Sequence, residues 1–376
     1  MNSSGSPFSS LDDVWQMAST DSDAVLLTYV RLSRNAENFR FPSTEDSATL
    51  MELVDMARQA AYDNGLFADY WHDRGVEFCL GDLNYTERRF LEESFQLPYQ
   101  LIVRAEPHQV LFSSGDGCEN IVVNGRDHFV FTSVLPGCQP FLALGRALKL
   151  EHEFSTRIIA KYAYDEELGY LTTRPEDAGT GLRIGVLVHL PGYLSTHRTS
   201  AFKDIAKRYN VTLKEYRWPG SNVYVIENTS AMGKSEEQIV MSMHRYLELL
   251  LMQERVGRET LWESENALMS DQICRSLALL GSARLIDWQE CAMHLFALRL
   301  GVSNGIIKNL DHRLLNYLAI RVFPCHIALE AGMEFPHKNE SAAVRHKMMT
   351  EIDSCRARLC RKLCKIWQID FPSSWE

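Results

Sequence analysis

Apolar residues recur along this chain at two different spacings, and the changes between them divide it into segments. From Asp46 to Asn64 the positions Leu50, Leu53, Val54, Met56 and Ala57 return at near-helical intervals, which predicts one helix. Between about Val76 and Val134 the pattern becomes short runs rich in β-branched and aromatic residues: VEFCL, YQLIV, QVLFSS, ENIVVN and HFVFTSVL. Punctuated by GD, SSGDG and NG, these runs predict strands and turns of an antiparallel sheet. Helical spacing returns in PGCQPFLALGRALKLEHEF. YLTT, RIGVLVHLP, TLKEYRW and NVYVIEN then predict further strands, with a helix from about Thr199 to Tyr209.

After Gly233 the strand punctuation stops. KSEEQIVMSMHRYLELLLMQERVGRETLWESE carries long apolar periodicity and predicts a helix of about seven turns. From there to about Trp367 the pattern stays helical, with breaks at 281–282, 301–305, 323–326 and 335–341. The expected fold class is therefore α+β. An antiparallel sheet flanked by helices occupies residues 21–260, a helical domain follows over 261–376, and a Ser-rich, loosely ordered segment occupies 1–20.

Composition narrows the function classes. A formal charge of −10 lacks the dominant basic field that nucleic-acid or anionic-membrane binding needs. No run approaches the apolar length of a membrane span, and the start MNSSGSPFSS lacks a secretory signal, so a cytoplasmic location is expected. Nine widely scattered cysteines do not describe a disulfide framework. Cys355, Cys360 and Cys364 cluster in CRARLCRKLCK, where zinc is conceivable. No CxxC pair or nearby His supports it, and reduced helical thiols are expected.

Several stretches, in order and spanning nearly the whole chain, carry a family resemblance. They are VRLSRNAENFRFPS (30–43), NGRDHFVFTSVLPG (124–137), YAYDEELGYLTT (162–173), GTGLRIGVLVHLPG (179–192), GKSEEQIV (233–240), QER (253–255) and LRLGVSNGIIKNL (298–310). Together they resemble the ATP:guanidino phosphotransferases, and within them the bacterial protein-arginine kinases. That resemblance implies phosphoryl transfer from ATP with Mg2+ to an arginine side chain. It also implies a homodimer formed through the helical part, with an adaptor and a Clp-type protease as partners. Such a reaction needs arginines on the triphosphate, a carboxylate on the acceptor guanidinium and a mobile loop that excludes water.

Position by position, the resemblance implies nucleotide contacts along LTYVR and LRIGVL, at Thr28, Arg31, Arg183, Ile184, Gly185, Val186 and Leu187, with Lys214 from the loop. Departures are many. Tyr29 replaces the first arginine of the family's phosphate strand, and Phe95 a nucleotide-contacting histidine. The acceptor segment NEEDH becomes Asn124, Gly125, Arg126, Asp127 and His128, with Val130 at a further phosphate arginine. The reactive cysteine becomes Arg174, and the loop RGxxGE becomes KEYRWPG (214–220). The regulatory pocket motif RDxxRA becomes Ser341, Ala342 and Arg345.

A cation at 126 repels an incoming guanidinium, at a cost of several kcal/mol or on the order of a thousandfold in binding. Losing one group that stabilises transition-state charge typically costs about a hundredfold to a thousandfold. Several are lost here, so the leading expectation is a catalytically impaired binding or regulatory subunit in protein quality control. The alternative is an active kinase in which Glu176, Asp177 or Asp127 has taken the carboxylate role.

Overall fold

The computed structural model of the chain describes residues 23–196, 199–337 and 339–369. The expected loose segment 1–20 lies outside them. In chain order the elements are β1 (Val25–Arg34), α1 (Ser47–Arg58), β2 (Val76–Cys79), α2 (Tyr85–Glu93), α3 (Gln100–Val103), β3 (Val110–Ser113), β4 (Glu119–Val123), β5 (Phe129–Pro136) and α4 (Pro140–Ser155). A small hairpin of β6 (Tyr164–Asp165) and β7 (Gly169–Tyr170) precedes β8 (Leu182–His189), α5 (Pro191–Thr196), α6 (Thr199–Arg208), β9 (Val211–Glu215) and β10 (Val223–Asn228). The rest is α7 (Glu236–Ser282), α8 (Trp288–Ser303), β11 (Ile307–Lys308), α9 (His312–Arg321), α10 (Pro324–Glu330), α11 (Ala342–Cys364) and β12 (Gln368–Ile369).

Eight strands form one sheet in the order β2-β3-β4-β5-β1-β8-β10-β9, and every neighbouring pair is antiparallel. Side chains alternate across the sheet, so β1 sends Val30 and Leu32 one way and Tyr29 and Arg31 the other. The first face packs against α1, α4 and α7 through Leu53, Leu144, Leu150, Val240 and Met243. The second is covered over part of its width by the helical region, where Phe296, Ala319 and Phe323 meet Leu187, Val134 and Trp218. Where that cover stops, the same face opens into a cavity.

Local chemistry explains the helix starts. Asp46 caps α1 by accepting from the amides of Ala48 and Thr49, and Ser235 and Gln238 form a reciprocal capping box on α7. Helical backbone after α1 continues as a wider π turn over Gln59–Asp63, which accounts for the expected end near Asn64. α7 continues past the expected domain boundary near 260 to Ser282, with a break in helical geometry at Glu265.

Two expected strands are not strands. YQLIV folds as the single turn α3, because Pro98 opens the turn and short apolar runs are ambiguous between the two states. In YLTT only Tyr170 pairs; the amide of Thr173 is taken instead by the Asp127 carboxylate at 2.7 Å. Cys360 lies on α11 with its sulfur 3.4 Å from that of Cys291, and among the described residues no group of side chains could hold a metal ion. Among the described residues no helix is long and apolar enough to cross a membrane.

Candidate functional site

The cavity on the uncovered face has a volume of about 720 Å³ and gathers most of the residues named from sequence. Its floor is made by β1, β5 and β8. Arg31 sits in register between Thr132 of β5 and Arg183 of β8, so the two guanidinium groups rise side by side from adjacent strands. Like charges placed directly opposite are unfavourable unless something negative answers them. Asp177 answers Arg183 in a close ion pair, and Arg183 also donates to the Asn228 carbonyl at 2.5 Å. Among the described residues no carboxylate answers Arg31, whose guanidinium lies 4.9 Å over the Tyr29 ring.

One residue pair back along the strands, register sets a second row, Tyr29 beside Gly185 and Gly185 beside Glu227. A Cβ on Gly185 would lie 2.2 Å from Tyr29 Cζ, so the missing side chain is what lets the ring lie across the strand. The Tyr29 hydroxyl thereby donates to Glu227 Oε1 at 2.5 Å, and burial next to that carboxylate raises the phenol well above its ordinary pKa. Glu227 also meets Lys214 Nζ at 3.9 Å. Sequence reasoning missed Glu227; its signal was a charge in NVYVIEN on the same strand parity as a buried position.

The rim comes from the β4–β5 turn and the loop after β7. Asn124 takes a positive φ of 53° and anchors the turn through its amide, which donates to the carbonyls of Leu50 and His108. Asp127 is buried and accepts from Asn35 Nδ2 at 2.8 Å and from the Thr173 amide, so its role is to clamp the turn. His128 is buried too, accepts from the Ala36 amide through Nδ1, and burial lowers its pKa. Gly125 faces the α3 wall, where a Cβ would already come within 3.1 Å of Val122 and 3.6 Å of Leu101. Arg126 lines the cavity and forms no ion pair among the described residues. Arg174 is tied to Glu176, with Nε to Oε1 at 2.8 Å, and lies 3.6 Å from Asp177.

The remaining nucleotide positions divide by strand parity. Thr28, Ile184 and Val186 point into the core on the far face, where Thr28 donates to the Gly137 carbonyl at 2.7 Å. Their side chains are turned away from the cavity. Leu187 is on the near face but is sealed under the helical region. Phe95 and Tyr29 are sealed there as well, with Phe95 stacked on Tyr216 and Trp218 stacked on Phe323. The segment that stands in place of the family's mobile loop is pinned: Trp218 is fully buried and Arg217 forms a two-pronged pair with Glu92. Arg31 and Arg183 fit a phosphoryl group, whereas Tyr29 and Phe95, at two further nucleotide positions, are buried and present no polar group to the cavity.

Two family models match the chain. Residues 71–256 match the C-terminal catalytic domain of ATP:guanido phosphotransferases, and residues 266–368 match the C-terminal domain of the protein-arginine kinase McsB. A protein-arginine kinase of Geobacillus sp. is 32% identical over 83% of this chain and 86% of its own length. One from Halalkalibacterium halodurans is 30% identical over 89% and 94%. Among solved structures, lombricine kinase superposes with a TM-score of 0.53 at 22% identity, covering 63% of this chain and 67% of its own. The substrate-free duplicated taurocyamine kinase from Schistosoma mansoni gives 0.54 at 19% identity, over 90% and 50%. At these identities the two structures support the fold alone.

Proposed function

The chain belongs to the ATP:guanido phosphotransferase family, in its protein-arginine kinase branch, and on that premise we propose that it acts as a binding or regulatory subunit without phosphotransfer to arginine. The observation that carries this reading is Arg126, a cation lining the cavity beside Gly125 where relatives would present carboxylates. Each carboxylate that lines the cavity among the described residues already has a partner, and Glu106 pairs with Arg104 at 2.6 Å. Asp127 holds the turn, Asp177 is neutralised by Arg174 and Arg183, and Glu227 accepts from Tyr29. A pinned Trp-Pro-Gly segment also removes the closing loop that phosphoryl transfer needs to exclude water.

One observation favours the alternative of an active kinase: Asp177 lines the same cavity as Arg126. The two readings separate in one assay. Purified protein is incubated with Mg-ATP and an arginine-rich protein, and acid-labile phosphoarginine is measured. The binding-subunit reading expects none above a no-enzyme control; turnover that disappears in Asp177→Asn sinks it. In the proposed role the helical region would carry the dimer contact, and an adaptor of the same kinase system or a Clp-type protease would be the partner.

A further inference from the structure

We propose that the cleft between the C-terminal end of α7 and the last turns of α11 is a docking site for an acidic peptide segment of a partner protein. The cleft has a volume of about 500 Å³ and is lined by five cations, Arg284, Arg358, Arg361, Lys362 and Lys365, with no carboxylate among the described lining residues. In a chain of formal charge −10, such a cleft is not a sample of the general surface. It is a different place from the cavity over the sheet, so the inference holds whether or not the chain transfers phosphate. It also lies apart from the regulatory motif positions, since Arg345 precedes Arg358 on the same helix by about 20 Å of helix axis.

Helix geometry gathers these charges. Arg358, Arg361, Lys362 and Lys365 stand at i, i+3, i+4 and i+7, the spacing that puts four side chains on one face of a helix. The end of α7 approaches that face closely. A Cβ on Gly281 would lie 3.6 Å from Cys364 Cβ, and Arg361 donates through Nη1 to the Ala283 carbonyl. That hydrogen bond fixes one guanidinium against the end of α7 and sets Arg284, the next residue, on the α7 side of the cleft. The acids of the adjoining stretches are committed: Asp271 to Arg275 at 3.6 Å, Asp353 to Arg356 at 2.5 Å, and Asp287 to the amides that begin α8. Cations held this close repel one another, and an entering anion relieves that repulsion.

The layout selects a peptide over a single ion. From Arg358 to Lys365 the cations spread along about 10 Å of helix, too far for one small anion to span and close to the reach of about three residues of extended chain. Leu277 and Cys364 put apolar surface inside the cleft, and Leu285 and Ile366, each more than half exposed, adjoin Arg284 and Lys365 in sequence. Carboxylates on the cations with an apolar side chain between them make the complementary pattern. Nucleic acid is the other polyanion of regular charge spacing. Against it, no aromatic ring lines the cleft for a base to stack on, and the negative charge of the whole chain repels a long phosphate backbone. A plain solvated face on one helix would lack the second wall that α7 supplies.

The test is fluorescence anisotropy on the full chain with a labelled, capped peptide of glutamates flanking a leucine. Saturable binding is expected, weakened by added salt and weakened roughly tenfold or more by the double variant Arg358→Gln/Lys362→Gln, in which both side chains are exposed. Arg275→Gln, which removes an exposed charge of α7 outside the cleft, should leave the affinity within about twofold. Thermal melts establish that each variant is folded. An oligo-dT strand and phosphatidylserine vesicles are run beside the peptide. Tighter binding of either, lost in the double variant, assigns the cleft to that polyanion and overturns the proposal. A change in sedimentation of the double variant without peptide would make a second copy of the chain the occupant, with the same consequence. Peptide binding indifferent to the double variant, or none at millimolar peptide, overturns it too. Phosphoarginine formation is read separately, so turnover would remove the functional reading while the peptide result stands on its own.

Discussion

Tyr29 and Arg31 are two residues apart on one face of one strand, yet they belong to different halves of the molecule. Around Tyr29 the face is sealed by Phe95, Tyr216 and Trp218 and by the helical region above them. Around Arg31 it is open, charged and wide enough for a small ligand. The sealed half is held by apolar burial, which stabilises in proportion to area and tolerates no vacancy. The open half is held by ion pairs, and those near water, Arg104 with Glu106, Arg174 with Glu176 and Lys214 with Glu227, each contribute little to stability. The same face thus splits into a structural seam and a site, and a ligand that needed both halves would have to break the seam.

The most severe way to break that division is Trp218→Ala. The indole is fully buried, stacked on Phe323 and packed against Phe296 and Tyr216, so its removal empties the joint between the sheet and the helical region. The expected loss is about 3–5 kcal/mol, read from the denaturant midpoint at unchanged slope. A loss below about 1 kcal/mol would mean that the segment is a movable loop after all, and the division of the face would fail.

This division also shows what was legible in the sequence. Strand order could not be read from the chain, but the alternation that puts Arg31 and Arg183 on one face could, because strand periodicity is local. For the same reason Thr28, Ile184 and Val186 could have been assigned to the far face from parity alone. The seal was hidden because it is made by residues far apart in sequence: Tyr29, Phe95, Trp218 and Phe323 meet only in the fold. A tryptophan in a Trp-Pro-Gly turn looks like a stiff surface loop until the helical region is laid over it. The turn α3 was missed because its four residues carry no usable period. The charge reversal at Arg126 was legible directly, but its consequence depended on where Glu227, Asp127 and Asp177 spend their oxygens.

A milder intervention acts on the border between the halves. Tyr29→Phe keeps the ring over Gly185 but deletes the hydroxyl that reaches Glu227. A hydrogen bond to a charged group is lost, and the carboxylate, partly open to solvent, regains water. The expected cost is about 1–2 kcal/mol in denaturant unfolding. Glu227 then loses the donor that partly screens its charge and keeps Lys214 alone, so its repulsion of an oxyanion grows and phosphoryl binding should weaken as well. Unchanged phosphate affinity in a destabilised variant would place Glu227 on the structural side of the border.

The gentlest change, Lys214→Ala, asks whether the open half contributes to stability at all. Lys214 is two-thirds exposed and its ammonium is 3.9 Å from Glu227, at the limit of an ion pair. Exposed pairs of this kind are worth about 0–1 kcal/mol and are screened by salt, so the melting temperature should stay within about 2 °C of the parent. The sign on ligand binding is less obvious than the size. Removing the lysine lowers the positive excess of the cavity by one, but it also leaves Glu227 to the Tyr29 hydroxyl alone, which is where its closest contact already lies. A small, salt-sensitive loss of phosphate affinity with no loss of stability is the expected result. A drop in stability matching that of Tyr29→Phe would show that the open half is as much a part of the seam as the sealed one.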